Sequence, residues 1–323
     1  MVDVKRALII GATGGVGGEV ARALHLRGWE VMALHRNPDR AQGSNPDLHW
    51  VKGDAMDRSA VLKAAAGTQV IVHSVNPPGY RNWAGLVLPM LDNMLAGAKA
   101  SRARVLLPGT IYNYGLDAGE AVDEQSPQDP TTRKGAIRVE MERRLRQASG
   151  EGVRALVVRA GDFYGPRAGN SWFAQGMVPA PGPIKRIFNP GRAGVGHAWA
   201  YLPDLAETMV RLLERENELA DFDTFHFGGT WVADNRLFAE AIQRASGRLN
   251  AKIYPFPWPL FHAMAPFNET AREMREMIYL WRRPLRLVDR KLESFLGDLP
   301  ATPMIDAVKA TLRGLDRLGS QTK

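Results

Sequence analysis

The 323-residue sequence contains no cysteine, which excludes disulfide bonds, thiolate catalysis and cysteine-ligated metals. It also contains no uncharged apolar run long enough to span a membrane. Its first residues, MVDVKRALIIGATGG, place an acid before the apolar run and glycine directly after it. That pattern predicts a buried strand and not a signal peptide. We therefore expect a cytoplasmic protein without a membrane partner, and without a metal site because the seven histidines show no metal-ligand spacing.

Clustered positive charge is also missing. The net charge is +8, yet the basic residues are spread along the chain and never form a tract of five or more. A nucleic-acid-binding protein concentrates such charge in a patch or stripe. The sequence therefore predicts a solvated basic surface with a site for an anionic cofactor, a small-molecule substrate and no nucleic-acid partner.

Short runs rich in Val, Ile and Leu alternate with helical stretches in the first half of the chain. The predicted strands are 5–12, 30–36, 69–75, 104–110 and 154–161, and the predicted helices include 14–28, 86–100 and 135–148. This alternation indicates an α/β fold, a Rossmann-type doubly wound parallel sheet covered on both faces.

The amino-acid composition of the sequence changes after Gly165. The segment 177–196 is rich in Pro and Gly and predicts a loop, followed by a helix at 203–216, a strand at 223–229, and helices at 234–247 and 269–283. We predict a sheet domain over 1–165 plus about 197–230. A smaller, interleaved C-terminal substrate lobe would take 166–196 and 231–323.

A glycine loop, GATGGVG, lies between the first strand and the first helix. Gly11 permits the tight turn, Gly14 lets the backbone approach a pyrophosphate, and Gly17 lets helix and strand pack closely. The loop predicts a dinucleotide site, with the following residues as its members: Gly11, Thr13, Gly14, Gly15, Val16 and Gly17.

Further motifs follow in order along about the first 230 residues: VKGDAMD (51–57), VIVHSVNPPG (70–79), LLPGTIYNYG (106–115), VRAGDFYGP (158–166) and AWAYLPDLAETM (198–209). Together with the Gly-x-x-Gly-x-x-Gly spacing, they resemble the extended, epimerase/dehydratase-like branch of the short-chain dehydrogenase/reductase superfamily. The resemblance implies that Asp54 and Ala55 lie at the adenine. It implies that Val75 and Asn76 lie beside the cofactor's ribose and phosphates, and that Thr110 and Tyr114 serve catalysis.

The second strand ends ALHRNPDR, with His35, Arg36 and Asn37 where an acid would bind the ribose 2′-hydroxyl of NAD. An arginine can instead fork onto a 2′-phosphate, and Arg40 lies within reach. We therefore predict that Arg36 selects NADP, with NAD as the less favoured cofactor.

The stretch TTRKGAIRVEMERR (131–144) has no tyrosine. In the family that the sequence resembles, a Tyr four residues before a Lys acts here as general acid/base. Alignment puts Lys134 in the Tyr position, Arg138 in the Lys position and Glu142 one turn further; a second register, with Thr132 and Ala136, fits worse. We expect Arg138 to bind cofactor. Lys134 is expected to be solvated unless the substrate lobe closes over it, and to be at most an auxiliary acid. Alternatively, the three charged residues form a salt-linked helix face.

Other side chains could donate a proton. Tyr112, Tyr114 and Tyr164 lie in predicted turns, and His197 lies in a Gly-rich loop, where it could relay protons or only pack. Asp204 is predicted to cap its helix. The aromatic segment 254–267, which includes Trp258, Phe261 and Phe267, predicts an apolar substrate wall or, alternatively, buried packing or a homodimer contact.

The sequence thus predicts an atypical NADP-dependent reductase, dehydrogenase or epimerase that acts on a small carbonyl or hydroxyl compound. The alternative, favoured by the missing tyrosine, is a catalytically silent NADP-binding regulator that resembles the NmrA-like redox sensors.

Overall fold

The computed structural model describes residues 4–43, 45–77 and 82–318. The chain divides into two compact units. The first unit is Met1–Thr110, Lys134–Arg159 and Ala206–Phe225, and the second is Ile111–Arg133, Ala160–Leu205 and His226–Lys323. The second unit therefore includes 111–133, 160–165, 197–205 and 226–230, which the sequence had placed in the sheet domain. The functional division into a cofactor domain and a substrate lobe stays a prediction.

A seven-stranded sheet contains the strands β1 (Arg6–Ile10), β2 (Glu30–His35), β3 (His49–Lys52), β4 (Val70–His73), β5 (Arg104–Thr110), β7 (Ala155–Ala160) and β11 (Phe222–Phe227). Their order across the sheet is β11-β7-β5-β4-β1-β2-β3. The five strands from β3 to β5 run parallel, with Ile9 opposite Ala33 on one side and Val72 on the other. The order reverses between β1 and β4, which is where Rossmann domains bind their ligands. The predicted α/β, Rossmann-type fold class is confirmed.

The helices that surround this sheet are α1 (Gly15–His25), α2 (Pro38–Gln42), α3 (Arg58–Ala65), α4 (Trp83–Ser101), α5 (Arg133–Ser149) and α6 (Leu202–Glu214). One face of the sheet packs its apolar side chains, such as Leu8 and Ile71, against Leu91 of α4 and Leu145 of α5. Arg27, two residues after the end of α1, forms ion pairs with Glu207 and Glu214 of α6. None of the helices in the described part of the chain has the length and apolar character needed to cross a membrane.

Within its described residues, the second unit contains three small sheets. Its strands are β6 (Ala121–Val122), β8 (Asp162–Tyr164), β9 (Arg186–Asn189), β10 (His197–Tyr201), β12 (Thr230–Val232), β13 (Lys252–Pro255) and β14 (Arg286–Leu287). They pair as β12-β10-β8, β13-β9 and β14-β6. Its helices are α7 (Asn235–Ser246), α8 (Trp258–Met264), α9 (Glu269–Glu276), α10 (Arg290–Leu296) and α11 (Met304–Gly314), with a π-helix at Trp172–Met177 and a 3₁₀ helix at Met277–Trp281.

The prediction of a loop over 177–196 is wrong in part, because the segment contains β9. Ile187 and Phe188 of that strand pair in register with Ile253 and Tyr254 of β13. The prolines and glycines that suggested a loop flank the strand and do not interrupt it: Pro181, Gly182, Pro183, Pro190 and Gly191. β-branched and aromatic residues such as Ile187 and Phe188 favour strand pairing. The four residues of β9 are enough to pair with β13.

The predicted helix 269–283 is also shorter than expected. The α-helix ends at Glu276 and continues as the 3₁₀ helix. Met277, Tyr279, Leu280 and Trp281 are all buried. These positions point to all sides of the 3₁₀ helix, so the segment is buried all round instead of on one face.

Candidate functional site

The glycine loop closes tightly on the end of β4. Gly11 has φ +101°, and a Cβ there would come within 2.7 Å of the backbone of Ser74. A Cβ on Gly17 would overlap both the Ser74 hydroxyl and the Gly11 carbonyl oxygen. Only glycine fits these two positions, because one needs a left-handed φ and the other needs helix and strand in direct contact.

The first turn of α1 is suited to an anion. The N-cap residue of this helix, Gly14, forms no side-chain cap, and the first turn has no acidic side chain. Thr13 and Gly14 are exposed, and Gly15 and Val16 are half-buried. The amides at the start of a helix lack intrahelical partners and carry a partial positive charge, so they bind anions well.

A second group of side chains lies at the end of β4. The Trp83 indole donates to Oδ1 of Asn76, and the Arg138 guanidinium lies 5.1 Å from the centre of a Trp83 ring. Ser74, two residues before Asn76, donates its hydroxyl to the Ile10 carbonyl at 2.9 Å. Arg138 of α5 is thereby connected, contact by contact, with the strand end beside the glycine loop. The last two residues of the predicted motif, Pro78 and Gly79, lie outside the described residues.

His73, the last residue of β4, is 2% exposed, and neither ring nitrogen has a hydrogen-bond partner. Burial, together with the nearby positive charge of Arg138, lowers the pKa of His73 from its usual value to about 3. A buried ring without a partner is stable only when uncharged.

Lys134 is in the first turn of α5 and is 1% exposed, so its side chain is buried and not solvated. Glu142, two turns further along α5, forms a buried, bidentate ion pair with Arg159 of β7. Nε and Nη2 of Arg159 donate to the two carboxylate oxygens of Glu142 at 3.0 and 2.6 Å. The acid of the helix thus fixes α5 to the sheet, which the alternative of a salt-linked helix face did not foresee.

At the end of β2, Arg36 and Arg40 are exposed. Asn37 accepts a hydrogen bond from the Arg40 amide through its side chain, and it caps α2. Next along the sheet edge, Asp54 is half-buried after β3 and accepts from the Met56 amide at 3.0 Å. The Ala55 carbonyl accepts from Asn93 of α4 at 3.0 Å. The predicted cofactor residues of the first unit thus follow the carboxyl ends of β1, β2, β3 and β4, and their cofactor contacts remain predictions.

The predicted catalytic residues differ in their surroundings. Thr110 ends β5 in the first unit and is 6% exposed. Tyr114, in the second unit, is fully buried, with its hydroxyl 2.8 Å from Nε2 of His226. The Tyr114 hydroxyl also donates to the Asp123 carbonyl oxygen at 3.3 Å, and Nδ1 of His226 lies 3.2 Å from the Val122 carbonyl oxygen. These are the contacts of a packing residue, and the catalytic role of Tyr114 remains a prediction.

Three buried or half-buried polar residues meet in the second unit. His197 is a residue of β10 and not of a loop, and its Nε2 lies 2.8 Å from Oδ2 of Asp162. Tyr112 donates to Oδ1 of the same carboxylate at 3.3 Å. The His197 ring stacks on Trp281 with centroids 3.8 Å apart. The sequence had named Tyr112 and His197 separately; nothing in it showed that Asp162 would join them.

Tyr164 and Asp204, two further residues named from the sequence, both lie in the second unit. Tyr164 is fully buried beside Thr230, and burial raises its pKa. Asp204 is not an N-cap, because α6 begins at Leu202. Instead its carboxylate accepts from the amide and the hydroxyl of Thr302, both at 2.7 Å. An acid in the first turn still favours the helix, but its main partner is a distant segment of the second unit.

The aromatic segment 254–267 divides between core and surface. Trp258 is buried and donates to the Pro190 carbonyl at 2.9 Å, whereas Phe267 is 92% exposed. Phe256 and Trp258 surround Trp172, which opens the π-helix, at ring distances of 5.7 Å each. Buried packing accounts for the first part of the segment. The substrate wall and the homodimer contact remain predictions.

The strand order and the glycine loop define a Rossmann-type α/β domain, and comparison with known proteins agrees with it. Residues 7–228 match the model of the NAD dependent epimerase/dehydratase family. The chain belongs to this family, which confirms the resemblance of its motifs to the extended short-chain dehydrogenase/reductases.

The chain is 34% identical over 181 residues to a 3-diazoavenalumate denitrifying reductase of Streptomyces sp.. The match covers 51% of the chain, which spans only 58% of the length of this curated relative. Among solved structures, the chain is similar to UDP-glucose 4-epimerase of Thermotoga maritima bound to UDP-glucose (TM-score 0.74, 15% identity, 96% of this chain and 98% of that chain). It is also similar to the Bordetella bronchiseptica enzyme WbmH in complex with NAD⁺ (TM-score 0.70, 18% identity, 98% and 100%). At these identities the structures show a shared fold.

Proposed function

We propose that the protein is an atypical NADP-dependent reductase that acts on a small carbonyl compound, working reversibly as a dehydrogenase where a hydroxyl compound is offered. The observation that carries this proposal is the anion cradle at the switch point of the sheet. Gly11 and Gly17 bring β1, α1 and Ser74 so close that no Cβ fits between them. The uncapped first turn of α1 faces the same loop. A backbone cradle of this kind fits the pyrophosphate of a dinucleotide.

Each predicted cofactor residue would have a separate task. The amides of Thr13 to Val16 would hold the pyrophosphate, Arg36 the 2′-phosphate, and Asp54 with Ala55 the adenine. Val75 and Asn76 would line the ribose and phosphates. The bound reduced nicotinamide would supply a hydride to the substrate. Arg138 would hold the nicotinamide ribose as a permanent cation, and the Trp83 ring beneath it keeps the guanidinium in place.

The missing tyrosine limits the choice of reaction. Reduction of a carbonyl consumes a proton as well as a hydride, and the first unit offers the Thr110 hydroxyl and the Lys134 ammonium for it. An epimerase would need a base that recovers the proton in every cycle. Neither side chain is the tyrosine that serves as both acid and base in the family that the sequence resembles. Reduction is therefore favoured over epimerisation.

A second candidate function is the reductive removal of a diazo group. The curated relative of 34% identity is named as a denitrifying reductase of a diazo compound. A diazonium carbon can take up a hydride while its carbon–nitrogen bond breaks and N₂ leaves. That exchange consumes no proton, so it needs no tyrosine. The absence of tyrosine from α5 therefore favours a diazonium compound as the hydride acceptor.

The cofactor assignment can be tested by calorimetric titration of NADPH and NADH. We expect NADPH to bind at least about tenfold more tightly, a difference of ~1.4 kcal/mol. Arg36→Ala should remove most of that preference, whereas Lys63→Ala, on the exposed face of α3, should leave it intact. Equal affinities for the two cofactors, or an unchanged preference in Arg36→Ala, would contradict the assignment.

The reaction can be tested by following NADPH oxidation with an aromatic aldehyde and with an arenediazonium salt. Turnover of the aldehyde supports carbonyl reduction, and turnover of the diazonium salt with release of N₂ supports the second candidate. Tight binding of NADPH without turnover of any acceptor would support the alternative of a silent, NADP-binding regulator.

A further inference from the structure

Helix α8 of the second unit is apolar on its exposed side as well as on its buried side. Trp258 and Ala265, the residue after the helix, are buried, and Phe261 packs partly against the same core. On the other side, Leu260 and Met264 are 56% and 40% exposed. They are four residues apart and therefore lie on one face of the helix. One side of α8 holds it to the core, and the other presents apolar side chains to the surroundings.

The segment around the helix has no charge with which to solvate this face. Residues 254–267 contain no Asp, Glu, Lys or Arg. Phe267 lies in the turn that follows α8, where its amide donates to the Met264 carbonyl at 3.0 Å, and its side chain is 92% exposed. A surface helix in water normally turns charged side chains to the solvent. Neighbouring exposed apolar side chains mark an interaction surface. We call Leu260, Met264 and Phe267 the α8 face.

Positive charge follows the α8 face directly along the chain. Helix α9, which is in contact with α8, carries Arg272 and Arg275, and both are exposed. Arg282 and Arg283, after the 3₁₀ helix, are exposed as well. Of the three acids between α8 and Arg283, only Glu269 is exposed. The exposed charge next to the α8 face is therefore mainly positive.

We propose that the α8 face binds the surface of a membrane that contains anionic lipids. A helix that lies in the headgroup region places apolar side chains at the acyl boundary, and nearby arginines bind the lipid phosphates. The seven residues of α8 are about 10 Å long, so the helix lies on the membrane and does not cross it. The expectation of no membrane partner rested on the absence of a spanning run, which surface binding does not need. The inference goes beyond the proposed function and does not depend on it.

A second copy of the chain fits the α8 face less well. A stable protein interface takes about 20–30 residues from each partner, whereas α8 and its turn offer three large apolar side chains. A twofold contact also sets the same surface of both copies face to face. It would bring Arg272 and Arg275 of the two copies towards each other, and like charges repel. An anionic lipid surface has the opposite charge.

The test is cosedimentation of the full chain with lipid vesicles, without cofactor. One set of vesicles contains phosphatidylcholine alone, and the other also contains phosphatidylglycerol, which is anionic. We expect the partition coefficient to be at least about tenfold higher on the anionic vesicles at low salt, and to fall as salt is added. Leu260→Ser/Phe267→Ser should lower binding to the anionic vesicles at least about tenfold, because two apolar side chains no longer enter the lipid. Thermal unfolding midpoints establish that the variant is folded.

Leu249→Ser is the matched control, because Leu249 is 69% exposed in the same unit but lies outside the α8 face. It should bind vesicles as the unchanged chain does. Arg272→Gln/Arg275→Gln should weaken binding to the anionic vesicles about tenfold and leave binding to phosphatidylcholine unchanged.

Equal partitioning onto both sets of vesicles overturns the inference, and so does the absence of binding to the anionic set. It also fails if the folded Leu260→Ser/Phe267→Ser variant binds as well as Leu249→Ser. Sedimentation velocity without vesicles provides a further check. If the double variant converts a dimer into a monomer, the α8 face is a contact between two copies and the inference is wrong. Because no cofactor is present, a failure to bind NADPH contradicts only the proposed function.

Discussion

Replacement of Gly17 by alanine tests the central geometric claim, that α1 contacts the β1–β4 edge without space for a side chain. The added Cβ would overlap the Ser74 hydroxyl and the Gly11 carbonyl oxygen. The hydroxyl can rotate away at little cost, but the carbonyl belongs to the backbone of the loop, so α1 itself must move. Overpacking of this kind costs about 1–3 kcal/mol of unfolding free energy. The displaced helix terminus should also weaken NADPH binding by about 1–2 kcal/mol.

Urea unfolding and calorimetric titration measure these two effects. Gly43→Ala is the control, because a Cβ there meets nothing within 4 Å and its φ of −64° suits alanine. It should be neutral or stabilising by up to about 1 kcal/mol. The double variant Ser74→Ala/Gly17→Ala should recover only part of the loss, since the Gly11 carbonyl remains. The reasoning is refuted if Gly17→Ala is as stable as Gly43→Ala within about 0.5 kcal/mol and binds NADPH normally.

Three further predictions concern other parts of the molecule. Glu142→Gln should destabilise the fold by about 3–5 kcal/mol in chemical denaturation, because it leaves the buried Arg159 guanidinium without its countercharge; a loss below 1 kcal/mol would show that the pair is dispensable. The pKa of His73 is depressed to about 3 in the folded state, so the unfolded state takes up the extra proton and stability must fall as the pH drops from about 6.5 towards 3. The slope attributable to this residue is about 1.4 kcal/mol per pH unit, and His73→Met should flatten it. Fluorescence anisotropy should show only weak, sequence-independent binding of duplex DNA at physiological salt, because the positive charge is scattered; tight, specific binding would favour the regulator.

The sheet of the first unit was predictable because its strands are continuous apolar runs between glycine-rich turns. The run at 104–110 coincides with β5, and the run at 30–36 with β2 to within one residue. Short strands without a continuous apolar run escaped this reasoning. β3, with the sequence HWVK, has exposed residues at both ends and no apolar run, so only its pairing with β2 defines it.

The site was predictable only where a motif fixes the backbone. Gly11 is predictable because its φ of +101° favours glycine, and Gly17 because no Cβ fits there. The pairing of Glu142 with Arg159 joins residues 17 positions apart, and that of Asp162 with His197 joins residues 35 apart. Such pairs depend on how α5, β7, β8 and β10 pack, which no local pattern encodes. The burial of Lys134 was missed for the same reason, since a charged helix start predicts a solvated side chain.

The core of the second unit determines where the chain can be truncated. The family match ends at residue 228, yet the cluster around Tyr164 and Trp199 is completed by Phe238 of α7 and by Val308 and Leu312 of α11. Asp204 holds the segment before α11 as well, through Thr302. A chain truncated at the limit of the family match would expose large aromatic side chains to water and leave that carboxylate without its donors. The core of the second unit therefore extends beyond the family match, and we expect a chain that ends at residue 228 to lose it.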